Sequence, residues 1–235
     1  MRVHDEWLLT PDRVAVHEPS ATAVVADLHL GYLEARRQAG DATPLVPLAT
    51  LLGPLGRALK RTKAARLVIA GDLFEKRFLA DLWAEFTDWL KRRGVALVGV
   101  VLGNHDRRWP QAEASVCRDA LPLGDWQIVH GHLPVEGERV VCGHFHPAMR
   151  HGGRLAPCYL IKENRLVLPA YSQDAAGGDV WSLPGWDGWR CLVIQGRRVA
   201  DVGIIRRRPP ADLVVGKPGI TRARRSPWRA RLRPG

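Results

Sequence analysis

Five apolar runs in this chain each end in a short polar motif, and the motifs come in one fixed order. The runs cover residues 23–26, 67–70, 96–102, 126–129 and 139–142. The motifs that follow them are Asp27-Leu28-His29, Gly71-Asp72, Gly103-Asn104-His105-Asp106, His130-Gly131-His132 and Gly143-His144-Phe145-His146. Short apolar runs of this kind read as strands. Open α/β sheets place their sites outside the carboxyl ends of such strands, which is where these polar residues fall. Helical patterns lie between the runs. Leu45, Leu48, Leu52, Leu55 and Leu59 recur at helical spacing after Pro44, with Pro54 predicted to break or kink the helix. Leu79, Leu82, Trp83, Phe86, Trp89 and Leu90 form a clearer stripe that Lys91-Arg92-Arg93-Gly94 closes. Beyond His146 the pattern changes to short strands at 156–162, 166–168, 191–195 and 199–202. Alternation followed by strands predicts an α/β fold of two packed mixed sheets flanked by helices.

The chemistry of the motif residues is that of a metal site. Carboxylates, imidazoles and an amide, with no thiolate among them, suit borderline divalent ions such as Mn²⁺, Fe²⁺ or Zn²⁺. Seven candidate ligands are too many for one ion and about right for two. A pair of ions needs a bridging carboxylate and can clamp the attacking and leaving oxygens of an in-line displacement at phosphorus. Phosphate-ester hydrolysis is the reaction these residues suit.

The ordered set D-x-H, G-D, G-N-H-D, H, G-H-x-H resembles the calcineurin-like binuclear metallophosphoesterases, over residues 27–146. That resemblance implies a four-layer αββα sandwich and a hydroxide bridging two metals. It implies that Asp27, His29, Asp72 and His146 hold one ion. Asp72, Asn104, His130 and His144 hold the other, with Asp72 as the bridge. His105 then steadies the phosphate or protonates the leaving oxygen, and Asp106 orients its imidazole. The flanking segments 26–31, 106–108, 143–147, 156–159 and 167–171 are similar to those of bacterial DNA-ligase-associated phosphoesterases, compact relatives of SbcD-type nucleases. That closer likeness implies manganese-dependent cleavage of DNA phosphodiesters, beside a ligase and a helicase in repair. Ni²⁺ joins the ions that could substitute. One departure from the pattern is Glu75, where relatives often carry His or Asp; no implied metal ligand is lost by it, but contacts at the rim of the site are expected to differ.

Composition frames this reading. A chain of 235 residues, 46% hydrophobic and 25% charged, fits one globular domain with a sizeable core. No stretch approaches the ~18 apolar residues of a membrane helix, and the start lacks an apolar signal core. Cys117, Cys142, Cys158 and Cys191 show no C-x-x-C pairing and read as free thiols of a reducing compartment, so the expected location is the cytoplasm. Residues 206–235 hold ten Lys and Arg against one acid, Asp212, while residues 1–205 are nearly neutral. The division expected is a metallophosphoesterase domain over 1–205 and a basic, disordered tail over 206–235. That tail is either a solubilising terminus or an electrostatic tether for nucleic acid.

Other polar residues carry weaker signals. His132 could contact substrate or stand behind a metal ligand. Arg107 and Arg108 suit phosphate through their guanidinium forks, or sit on a solvated loop. Lys76 and Arg77 are weaker candidates of the same kind. His4, His17 and His151 read as ordinary surface or packing residues. Three functions follow: a Mn²⁺-dependent DNA endonuclease or single-strand nuclease, a phosphodiesterase or phosphatase for a cyclic nucleotide or nucleotide-sugar, and a non-catalytic nucleic-acid-binding subunit. The complete ligand set argues against the third. The expected partner is single-stranded or nicked DNA, with no membrane.

Overall fold

Strands alternate their side chains between two faces, and here that alternation builds the layers. The structure, a computed structural model, describes residues 1–133, 137–151, 153–175 and 177–206. From the strands Thr22–Val25 and Arg66–Ala70, Ala23, Val25, Leu67 and Ile69 enter a core shared with Leu52, Leu55, Phe86 and Trp89. Their neighbours Val24, Val68 and Ala70 enter a second core with Ile128, Val141, Tyr159 and Leu192. The reverse face of that second sheet presents Val140, Cys142, Leu160 and Val167 to Trp186 and Trp189.

The first sheet runs in chain order through Arg2–Val3, Trp7–Leu9, Ala15–His17, Thr22–Val25, Arg66–Ala70, Ala96–Val101 and Cys117–Arg118. Its first four strands form an antiparallel meander, and from Thr22–Val25 onward the pairings are parallel. Parallel pairing needs a crossover, which the helices Tyr32–Gln38, Leu48–Leu51, Gly53–Thr62 and Ala80–Lys91 supply. The motifs at 27–29, 72 and 103–106 therefore emerge side by side at one sheet edge. In the second sheet, Val140–Cys142 lies between Trp126–Val129 and Arg165–Val167 and is parallel to both. Residues 130–132 and 143–146 emerge together in the same way.

Main-chain bonds hold the two edges against each other. Ala26 bridges Ala170, Tyr171 N donates to Ala26 O at 2.8 Å, and Ser172 N donates to Asp27 O at 3.0 Å. Arg13 Nη1 clips the same segment, donating to Ala170 O at 3.1 Å and Ser172 O at 2.6 Å.

The leucine stripe is two helices that break at Leu52, with Pro54 in the first turn of the second helix. Proline costs nothing there, because that amide has no intrahelical partner. Leu45 precedes both helices and is 49% exposed. Two mixed sheets are present as the sequence predicts, but the flanking layers differ. Among the described residues all four α-helices end by Lys91. The outer face of the second sheet is covered instead by Trp186 and Trp189, packed edge to face at 5.3 Å. Two indoles bury enough apolar area to serve where no helical stripe exists. No helix among the described residues is long and apolar enough to cross a membrane. The basic tail lies outside the described residues from 207 onward.

Candidate metal centre

The motif loops are strained, and glycines make the strain possible. Asp27, His29, Asp72, His144 and His146 all take left-handed backbone, with φ between 43° and 70°. Non-glycine residues held there cost of order 1–3 kcal/mol each and gather at functional sites. A methyl group on Gly71 would stand 2.2 Å from the His130 ring, and one on Gly103 would stand 2.0 Å from Asp72 Oδ1. The G-D and G-N pairs are thus packing requirements: each glycine lets a neighbouring ligand close in.

The structure brings six of the seven expected ligands into two clusters. The donor atoms of Asp27, His29 and His146 lie within 4.8 Å of one another, as do those of Asp72, His130 and His144. The clusters touch: His130 Nε2 lies 3.1 Å from Asp27 Oδ1 and 3.3 Å from Asp72 Oδ2. Backbone amides fix both carboxylates, with His105 N donating to Asp72 Oδ1 at 2.8 Å and His144 N to Asp27 Oδ2 at 3.0 Å. The seventh expected ligand, Asn104, stands between Gly103 and His105, both of which meet Asp72. Its Oδ1 is buried without a hydrogen-bond partner, and so is His29 Nε2. An orphaned buried acceptor costs about 1–3 kcal/mol. A divalent cation would satisfy both atoms, and the oxygen and nitrogen donors here fit one.

Electrostatics agree with that fit. Burial alone would raise the Asp27 carboxyl, but contacts from His130 and His146 outweigh it and hold the group well below the usual carboxylate range. Burial pulls His130 down, yet Asp27 and Asp72 hold it protonated, with a pKa of about 9. The two carboxylates thus call for positive charge beside them, which a divalent ion would supply in place of that proton, leaving His130 neutral as a ligand. Burial, then His130, push His144 down to about 4, leaving it neutral as a ligand must be.

The residues around the clusters differ from expectation in two places. Asp106 does not orient His105. Its Oδ1 accepts Phe74 N and its Oδ2 accepts Gly103 N, each at 3.0 Å, so it staples the 103–106 loop to the Asp72 loop. Burial, opposed by those amides, raises its carboxyl. His105 Nδ1 instead meets the main-chain carbonyl of Glu75. Glu75 itself is the residue the motifs missed, its Oε2 lying 2.9 Å from His29 Nδ1. It forms a third donor group with His29 and His105. Its place three positions after Asp72, as a departure from the family pattern, was the only signal.

His132 Nδ1 lies 2.9 Å from His130 Nδ1, so it meets a candidate ligand from behind. Arg107 and Arg108 are exposed and, with Lys76 and Arg77, line a cavity of about 650 Å³ that Glu75 also borders. His17 hydrogen-bonds Ser20 Oγ at 2.8 Å and His4 packs at a tilt against Trp126, both as packing residues. The side chain of His151 lies outside the described residues.

Residues 21–146 match the calcineurin-like phosphoesterase family, a span that brackets all seven expected ligands. The crystal structure of the Pseudomonas putida nuclease MPE is similar at a TM-score of 0.67 and 24% identity, over 86% of this chain and 98% of that one. A predicted phosphoesterase of Streptococcus pneumoniae TIGR4 is 18% identical over 81% of this chain and 92% of its own, at a TM-score of 0.30. At 24% identity the likeness to the P. putida structure is one of fold. No curated protein matches the chain.

Proposed function

The chain belongs to the calcineurin-like phosphoesterases, and from that premise we propose that it is a Mn²⁺-dependent DNA phosphodiesterase, an endonuclease or single-strand nuclease of DNA repair. The hydrolytic class rests on the paired donor clusters. Asp27, His29 and His146 with Asp72 would hold one ion, and Asp72, Asn104, His130 and His144 the other. Two divalent ions, when bound, supply charge neutralisation at phosphorus and lower the pKa of water enough to make a nucleophile at neutral pH.

The chain's own residues supply the rest. A carbonyl can only accept, so the contact with Glu75 O places a hydrogen on His105 Nδ1. That leaves Nε2 as the atom that would take up a proton and pass it to the leaving oxygen. Asp106 keeps the 103–106 loop in place for this. His132 steadies His130, and Arg107 and Arg108 offer guanidinium forks to phosphate at the rim.

The observation that carries DNA over a small ester is a cation-flanked track. A cavity of about 360 Å³ borders His29 and shares Gly31, Glu34 and Leu82 with the Lys76–Arg108 cavity. It also shares Pro54, Tyr171 and Gln173 with a cavity of about 740 Å³ that holds Arg13, Arg57, Arg61 and Arg197. Asp12 pairs with two of those arginines, and the net charge stays positive. Glu34, Glu75 and Asp81 temper the first cavity without cancelling it. A chain of phosphates would use both flanks, whereas a cyclic nucleotide would use neither. The nuclease title of the P. putida neighbour and the flanking segments similar to ligase-associated enzymes support the same substrate. Those flanking segments alone are the ground for proposing a working association with a DNA ligase and a helicase. Four free cysteines support a cytoplasmic location.

Purified protein with Mn²⁺ should hydrolyse an aryl phosphodiester and should nick plasmid or cut single-stranded DNA, and Asp72→Ala should abolish both. Activity retained in that variant sinks the site. Intact DNA beside rapid turnover of a cyclic nucleotide would transfer the reading to a small-molecule phosphodiesterase.

A further inference from the structure

Glu75 reaches two histidines of the centre by different parts of itself. Its carboxylate Oε2 lies 2.9 Å from His29 Nδ1, with the two side chains only 18% and 7% exposed. Its main-chain carbonyl receives His105 Nδ1. The two imidazoles stand edge to face, centroids 5.0 Å apart. Backbone bonds leave the residue little freedom: Glu75 N donates to Leu30 O at 3.0 Å, and Leu30 N to Leu73 O at 2.8 Å. The loop after Asp72 is thereby laced onto the loop that carries His29.

Each contact bears on a tautomer. His29 Nδ1 is not in hydrogen-bond alignment with any acceptor, so the carboxylate acts on it through charge. A carboxylate at that distance favours hydrogen on the facing nitrogen. The lone pair is then left on Nε2, which is likewise buried without a hydrogen-bond partner. Carboxylate behind a ligating histidine is a general device for fixing ring orientation and raising ligand basicity. At His105 the carbonyl has the same effect on the other ring, leaving its Nε2 free to exchange a proton.

We propose that Glu75 is a positioning residue that sets both histidines at once, its side chain presenting His29 Nε2 to metal and its main chain presenting His105 Nε2 to substrate. The proposal rests on His29 being a metal ligand. It makes the two halves of Glu75 separable, because a substitution removes the carboxylate and keeps the carbonyl.

The test uses full-length, chelator-stripped protein as wild type, Glu75→Ala, Glu75→Gln and His29→Ala. Calorimetric titration with Mn²⁺ gives stoichiometry and affinity, and ¹⁵N shifts of the metal-free protein report each histidine's tautomer. Glu75→Ala should still bind two ions, one of them about 10–100-fold more weakly. His29 should lose its preference for hydrogen on Nδ1, while His105 keeps its own. Glu75→Gln, which keeps the shape of the side chain and removes its charge, should weaken binding of the same ion, because the carboxylate acts on His29 through charge. Unchanged affinity and an unchanged His29 tautomer in Glu75→Ala would overturn the proposal. Loss of one whole ion would overturn it too, by making Glu75 a ligand itself. Normal binding of two ions by His29→Ala would show instead that the ligand reading of His29 had failed, and this inference with it.

Discussion

Gly103→Ala is the smallest change that should disable the centre without removing any ligand. The added methyl would lie 2.0 Å from Asp72 Oδ1 and 2.5 Å from Asp72 N. Carbon and oxygen need more than 3 Å, so something must retreat by about 1 Å. The main-chain nitrogen belongs to a residue held at φ 47°, at the end of a central strand, and has little room to yield. The carboxylate must therefore move. It is 2% exposed, holds His105 N at 2.8 Å through Oδ1 and faces His130 at 3.3 Å through Oδ2. Moving it breaks the first contact and shifts the expected bridge between the ions. Overpacking of this kind costs roughly 1–3 kcal/mol, or about 2–12 °C in Tm for a domain of this size. A displacement of about 1 Å at a reacting centre costs on the order of 10²-fold in rate. Thermal melts with and without Mn²⁺, metal titration and turnover of an aryl phosphodiester measure all three. Gly53→Ala is the control: its methyl meets only Arg57 Nη1, at 3.8 Å, and should change stability by less than about 0.5 kcal/mol. A Gly103→Ala protein with metal affinity and kcat/KM within about threefold of wild type would refute the packing argument.

Further outcomes follow from other contacts. Tyr171→Phe removes a buried hydroxyl that accepts Leu55 N at 3.0 Å and donates to Leu51 O at 2.9 Å, and urea denaturation should register a loss of about 1–3 kcal/mol. Unchanged stability would mean that the two helices do not depend on this bridge. His105→Ala should lose about 10²–10⁴-fold on diesters with poor leaving groups and far less on activated aryl esters. Equal losses would remove it from proton transfer. Arg197→Glu should weaken cleavage of long single strands while sparing an aryl diester, and equal effects on both would remove the second cation flank from the substrate track. Deletion of residues 206–235 should flatten the salt dependence of DNA binding, and an unchanged slope would return the tail to a solubilising role.

The expected ligands were legible because the fold reads them out one strand at a time. Parallel pairing from Thr22–Val25 through Ala96–Val101, and again around Val140–Cys142, puts successive strand ends at one edge. An apolar run followed by a ligand therefore encodes both the strand and the location. Elements built on two or three residues, such as Arg2–Val3 and Trp7–Leu9, carry no measurable period, and the meander they form was not visible. Nor was the join between the sheets, since the Ala26–Ala170 bridge and the Arg13 clip are bonds to main-chain groups that any residue supplies.

Asp106 and Glu75 mark where sequence order stops determining chemistry. Asp106 directly follows His105, so chain proximity suggests a carboxylate orienting an imidazole. What decides its partner is the arrival of Phe74 N, 32 residues earlier in the chain, together with Gly103 N. A buried amide and a half-buried one need acceptors, and the Asp106 carboxylate has two oxygens to give them. His105 is then satisfied by the one carbonyl the Asp72 loop leaves facing it, that of Glu75. The two acids exchange the tasks that the motif assigns: the one inside the motif holds the loop, and the one outside it faces the histidines. Any substitution at position 75 that moves its backbone should therefore disturb His105 as well as His29, whereas one that changes only the side chain should reach His29 alone.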